Sequence, residues 1–208
     1  MSAAVVEKPK LIEWSVAARP IAGQTVSGDL HVVETLEHGV LLAVIDGVGH
    51  GGEASAAAQR AATVLKKHAA ESVISLVKRC HEALTGTRGA VMTLALVDAL
   101  DDTVTWLGVG NVEARLFRAE ADSSHPCENI LLRSGLVGLQ LPALQASMMP
   151  VVRGDLLVFA TDGIHTGFER GTHLTDPPRQ IADGIMKRHF KGTDDALVLA
   201  VRYTGTSP

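Results

Sequence analysis

An α+β fold, with two antiparallel sheets and helices on their outer faces, is what the sequence predicts, and three observations predict it. Strand-like runs succeed one another across short turns, helical patterns form one neighbouring pair and one late helix, and βαβ alternation is nearly absent. The length of 208 residues suits one domain, residues 1–208, with no separate sensor domain.

In chain order, "LIEWSVAARP" reads as a strand stopped by proline. "DLHVVETLEHGVLLAVID" reads as two strands around a Glu37-His38-Gly39 turn. From Glu53 to Lys67, Ala54, Ala57, Ala58, Ala61 and Leu65 recur at helical spacing, and the alanines allow close approach to a sheet. A second helix places Val73, Leu76, Val77, Cys80 and Leu84 on one stripe. Strands follow in "AVMTLALVDA", "TVTWLGVG" and "EARLFRA", then a polar loop around "EADSSHPCEN", then "ILLR", "MMPVV" and "DLLVFATD". A helix over about Pro178–His189 begins at proline and precedes a last strand, "ALVLAVRY".

Composition excludes several classes. With 46% hydrophobic residues the chain can bury a core, yet no apolar run reaches the length of a membrane span, and the N-terminal stretch has no secretory pattern. The expectation is a cytoplasmic protein away from membranes. A net charge of −4 and 3% aromatic residues argue against a nucleic-acid partner, which requires concentrated positive charge and stacking surfaces. Cys80 and Cys127 have no metal-type spacing.

The chemistry gathers at strand ends. "LLAVIDGVGHGGEA" closes an apolar run on Asp46-Gly47, and "LLVFATDG" closes another on Asp162-Gly163. Asp29 opens the partner of the first, and Asp194-Asp195 introduces the final strand. A turn centred on His38 sets Asp29 opposite Gly47 and Leu30 opposite Asp46, and neighbouring "LLVFA" and "ALVLAVRY" strands would bring all these aspartates to one sheet edge. Clustered carboxylates without counter-charges repel, and all-oxygen donors suit hard divalent ions such as Mg²⁺ or Mn²⁺. Gly47 could offer a carbonyl at close range, while Gly49, Gly51 and Gly52 bend the chain into a helix. The loop lacks the Lys-Ser/Thr ending of a nucleotide-binding P-loop.

Four segments, "DGVGHG" (46–51), "GVGNVEAR" (108–115), "ATDGI" (160–164) and "TDDALVLAV" (193–201), together resemble the metal-dependent serine/threonine protein phosphatases of the type 2C (PPM) class. Within it the chain is similar to the bacterial sporulation and stress-response branch, and there to the short RsbX-type stressosome phosphatases. The resemblance implies an α-β-β-α sandwich with helix pairs outside both sheets. It implies two Mn²⁺ or Mg²⁺ ions bridged by Asp46, with the Gly47 carbonyl, Asp162 and Asp194 completing the sites, Asp29 in an acidic slot and Asp195 sharing with Asp194. Asp46, Asp162 and Asp194 are the catalytic candidates. The implied chemistry is in-line attack of a metal-bound hydroxide on phosphorus, on a phosphorylated protein such as a STAS-domain stressosome component.

Two departures qualify that expectation. Val48 stands where many relatives carry a histidine acid, with His50 two places on, and Gln24 stands where many carry a phosphate-holding arginine. A slow, selective enzyme follows, since each missing group removes transition-state stabilisation. A weak binding module and a hydrolase of another phosphate ester are the alternatives. His125, His165, His173 and His189 read as surface or capping residues, Asn111 as a tight-turn residue, and Thr161 as a strand-end residue.

Overall fold

A computed structural model describes residues 11–119, 127–173 and 175–205. The sandwich expected from the sequence is present. One sheet has the order β1 (Ile12–Arg19), β11 (Ala196–Tyr203), β10 (Leu156–Ala160), β6 (Glu113–Phe117), β7 (Cys127–Asn129). The second has the order β2 (Asp29–Thr35), β3 (Gly39–Gly47), β4 (Ala90–Asp98), β5 (Thr103–Val109), β8 (Leu132–Arg133), with β9 (Ser147–Pro150) also on β5. Helices α1 (Gly52–Lys67) and α2 (Val73–Leu84) cover the second sheet, and α3 (Pro178–His189) covers the first.

The layers explain why the central strands read as unbroken apolar runs. On β3, Leu41, Ala43 and Ile45 face α1 and α2, while Val40, Leu42 and Val44 face the opposite sheet. On β11, Leu197, Leu199 and Val201 enter the space between sheets, and Ala196, Val198 and Ala200 lie under α3. A strand covered on both faces has no polar side to alternate. Each fully buried Leu or Phe contributes roughly 1.5–3 kcal/mol through removal from water. The buried alanine stripe of α1 packs on this sheet, as the spacing implied.

Four expectations are corrected. The first hairpin turns on two residues, Glu37 and His38, and closes with the Leu36 N–H on the Gly39 carbonyl, so the register moves by one and Asp29 pairs with Asp46. The aspartates do not share one sheet edge: Asp29 and Asp46 belong to one sheet, Asp162 and Asp194 to the other. Among the described residues the first sheet carries the single helix α3, not a pair. Finally, β8 runs parallel to β5, and β7 occupies the end of the stretch read as a polar loop. No helix among the described residues is long and apolar enough to cross a membrane.

Candidate metal centre

Antiparallel pairing brings the β2 start and the β3 end together, so Asp29 and Asp46 are direct cross-strand partners. In the other sheet, the end of β10 lies against the start of β11, with Ala160 paired to Val198. Thr161-Asp162-Gly163 therefore leaves the sheet beside the arriving Asp194-Asp195. One buried residue couples the two sheets here. The Thr161 hydroxyl donates to Asp29 Oδ2 at 2.7 Å and accepts the Leu197 N–H at 2.8 Å.

The two neighbouring aspartates at the β11 start have different surroundings. Asp195 is buried, and its two carboxylate oxygens accept the Ile21 N–H at 2.7 Å and the Gly28 N–H at 2.6 Å. It latches the segment before β2 onto β11. Asp194 is half-buried and uses one oxygen to accept the Asp195 N–H at 2.8 Å. Asp162, also half-buried, accepts the Asn111 side-chain amide at 2.8 Å. Asn111 reads from the sequence only as a turn residue; with Gly110 in the left-handed region (φ 98°) just before it, the β5–β6 turn aims that amide at Asp162. Among the described residues no hydrogen bond reaches the Asp46 carboxylate.

Electrostatics mark the pair on β2 and β3. Burial, reinforced by Asp29, Asp162, Asp194 and Asp195, pushes the Asp46 carboxyl up to about 8. Burial pushes Asp29 up to about 7, against the Thr161 hydrogen bond and together with Asp195, Asp162 and Asp194. Asp162 is raised by burial and by Asp194, with Lys191 opposing. Oxygen donors, incomplete solvation and mutual repulsion together fit a hard divalent cation. Among the described residues no three acidic, histidine or cysteine side chains stand close enough together to hold a metal ion as they are oriented. Asp29, Asp162, Asp194 and Asp195 each accept a hydrogen bond from a nearby donor.

The glycines have mainly steric reasons. A Cβ on Gly47 would be driven into the Ala54 carbonyl of α1, and one on Gly163 into the Asp195 carbonyl. Gly49 and Gly51 adopt left-handed backbone, at φ 89° and 78°, whereas Gly52 begins the helix in open space. Gln24 lies over this loop, its Oε1 3.4 Å from where a Gly51 Cβ would stand. Val48 and His50 are exposed. Of the histidines, His165 and His173 are exposed, the His189 carbonyl accepts the His165 N–H at 2.8 Å, and His125 lies outside the described residues. Both cysteines are free; Cys80 is buried, and burial pushes its thiol up to about 12.

The fold is a two-sheet sandwich that gathers carboxylates of both sheets near one end, a set of hard oxygen donors suited to a divalent cation. Residues 37–204 match the family model described as Stage II sporulation protein E (SpoIIE). The phosphoserine phosphatase RsbX of Bacillus subtilis (strain 168) is 24% identical over 160 residues, covering 77% of this chain and 78% of the relative. A chain in a structure of the bacterial stressosome, described as a modular system adapted to control secondary messenger signaling, superposes with a TM-score of 0.83 at 26% identity. It covers 93% of this chain and 100% of its own. RsbX in complex with magnesium gives a TM-score of 0.83 at 20% identity, over 95% of this chain and 98% of that one. The chain belongs to the SpoIIE family, whose phosphatase domains are metal-dependent, PP2C-type serine/threonine phosphatases.

Proposed function

We propose that this chain removes phosphate from phosphoserine or phosphothreonine of stress-signalling proteins, with STAS-domain components of a stressosome as substrates. One observation carries the reading: the direct pairing of Asp29 with Asp46 within electrostatic reach of Asp162 and Asp194 from the opposite sheet, where the ionised carboxylates repel one another and a divalent cation would favour their charged forms. The names of the phosphoserine phosphatase and the stressosome relatives support the substrate class. We read residues 1–208 as one phosphatase domain acting in the cytoplasm.

Asp46 would hold both of two Mn²⁺ or Mg²⁺ ions, with the Gly47 carbonyl, Asp162, Asp194 and Asp29 around them. Asp194 takes the ligand role rather than Asp195, because both Asp195 oxygens are committed to amides. When bound, such ions supply Lewis acidity and lower the pKa of water. The chain's residues position that chemistry: Thr161 fixes the Asp29 carboxylate, Asn111 fixes that of Asp162, and the Asp195 latch holds the segment carrying Gln24 and Gly28. With Val48 in place of an acid and Gln24 in place of a clamp, leaving-group protonation falls to water or substrate, and turnover is slow and selective.

The test is hydrolysis of p-nitrophenyl phosphate and of a phosphorylated STAS-domain protein, with Mn²⁺ titrated in and then chelated. Asp46→Asn should cost at least about a hundredfold in turnover, since it removes the bridging charge. Full activity in that variant would refute the metal-centre reading. Metal binding without turnover on either substrate would make the chain a binding module, and turnover of small esters alone would make it another phosphate-ester hydrolase.

A further inference from the structure

We infer that Lys191 is the residue that grips the substrate phosphate, a role that rests on the phosphatase reading above and that Gln24, standing in place of an arginine, otherwise leaves unfilled. Lys191 lies just past α3, on the approach to Asp194. Its backbone N–H donates to the Gly163 carbonyl at 2.9 Å, and its ammonium donates to the Asp162 carbonyl at 2.6 Å. These two bonds seat the side chain across the Asp162–Gly163 peptide, so the charge stands on the very residue whose carboxylate joins the acidic edge. An ammonium has three donors. One is used on the carbonyl, and the side chain is exposed, which leaves two for an incoming ligand.

Of the other cations near this end, Arg19 on β1 faces the Phe190 ring at 5.7 Å, and two arginines are ion-paired. Arg88, beside Gly49, is ion-paired with Glu53, and Arg115 is held by Glu113 and by Glu169 at 2.8 Å. Lys191 forms no close ion pair with a described carboxylate. Charge balance points the same way. Five aspartates remain one unit negative after two divalent ions bind, and a phosphomonoester dianion approaching that edge meets repulsion unless a further positive group stands there. A compact ammonium with rotatable donors can follow tetrahedral phosphate oxygens through the reaction.

Lys191→Met and Lys191→Arg test the inference against the plainer role of a strut under Asp162. Binding of inorganic phosphate to the Mg²⁺-loaded protein is measured by calorimetry, beside KM and kcat for p-nitrophenyl phosphate, Mg²⁺ affinity and melting temperature. Lys191→Met should weaken phosphate binding and raise KM by about tenfold each, the worth of a charge-assisted hydrogen bond. Lys191→Arg should restore most of that, and Mg²⁺ affinity should hold or tighten. Unchanged phosphate affinity in Lys191→Met overturns the inference. So does a loss of Mg²⁺ affinity that Lys191→Arg fails to rescue, which is the signature of a strut. Calorimetry needs no turnover, so a protein that binds phosphate through Lys191 yet hydrolyses nothing keeps this inference while the phosphatase reading fails.

Discussion

Asp194 and Asp195 are adjacent and chemically identical, and their surroundings give them opposite work. The Asp195 carboxylate satisfies two backbone amides, one of them fully buried, whereas Asp194 keeps an oxygen free at the surface of the edge. Removing an acceptor from buried donors costs about 1–3 kcal/mol, and removing a half-solvated ligand costs far less in folding. Asp195→Ala should therefore lower the unfolding free energy by an amount in that range, read as a lower urea midpoint, and loosen residues 21–28, read by faster amide exchange. Asp194→Ala should leave the midpoint nearly unmoved and weaken Mn²⁺ binding. The reverse result would exchange the two roles. Asn111 makes the same point, since a residue that reads as a turn former also donates to Asp162.

At the scale of elements, α1 approaches the strand ends so closely that Gly47 has no alternative. A Cβ there would collide with the Ala54 carbonyl, which belongs to the helix backbone and cannot rotate away. Gly47→Ala should cost about 1–3 kcal/mol, as overpacking does, and should displace the α1 start from the acidic edge. Gly52→Ala, five residues on, points into open space at the first turn of the same helix and should be neutral or slightly stabilising. Denaturant melts of the two variants measure the contrast; equal effects would mean that α1 does not bear on β3 as described. The same contact explains why alanine dominates the buried stripe of α1, where a larger side chain would lift the helix off Gly47 and Gly28.

Over the whole molecule, the acidic end acts as a reservoir of destabilisation that a cation relieves. Asp29 and Asp46 hold their protons up to about 7 and about 8, against 3.8 for an ordinary aspartate. Between those values the folded metal-free chain binds more protons than the unfolded one, so its stability falls as pH rises through the window. Its melting temperature should thus be lower at about pH 8 than at about pH 5. Asp46→Asn should flatten that slope by removing one of the two strongest contributors. Mn²⁺ favours the ionised carboxylates, and at a hundred times its dissociation constant it should add about 2.7 kcal/mol, or roughly 5–10 °C in a chain of this size. Scanning calorimetry at the two pH values, with and without Mn²⁺, measures all of this. A melting temperature indifferent to both would remove the cation from the argument.

The sequence by itself determined the element order, the apolar strand cores, the alanine stripe of α1 and the residue types of the acidic edge, because hydrophobic period and strand-end punctuation are local properties. It could not determine which sheet each aspartate belongs to. The hairpin register turned on a single residue, and one step decides whether Asp29 meets Gly47 or Asp46. Sequence also could not separate Asp194 from Asp195, find the donation from Asn111 to Asp162, or see Lys191 laid over the Asp162–Gly163 peptide. Those are contacts between residues 29 to 174 positions apart, and they exist only once two sheets have stacked and brought their ends to one place.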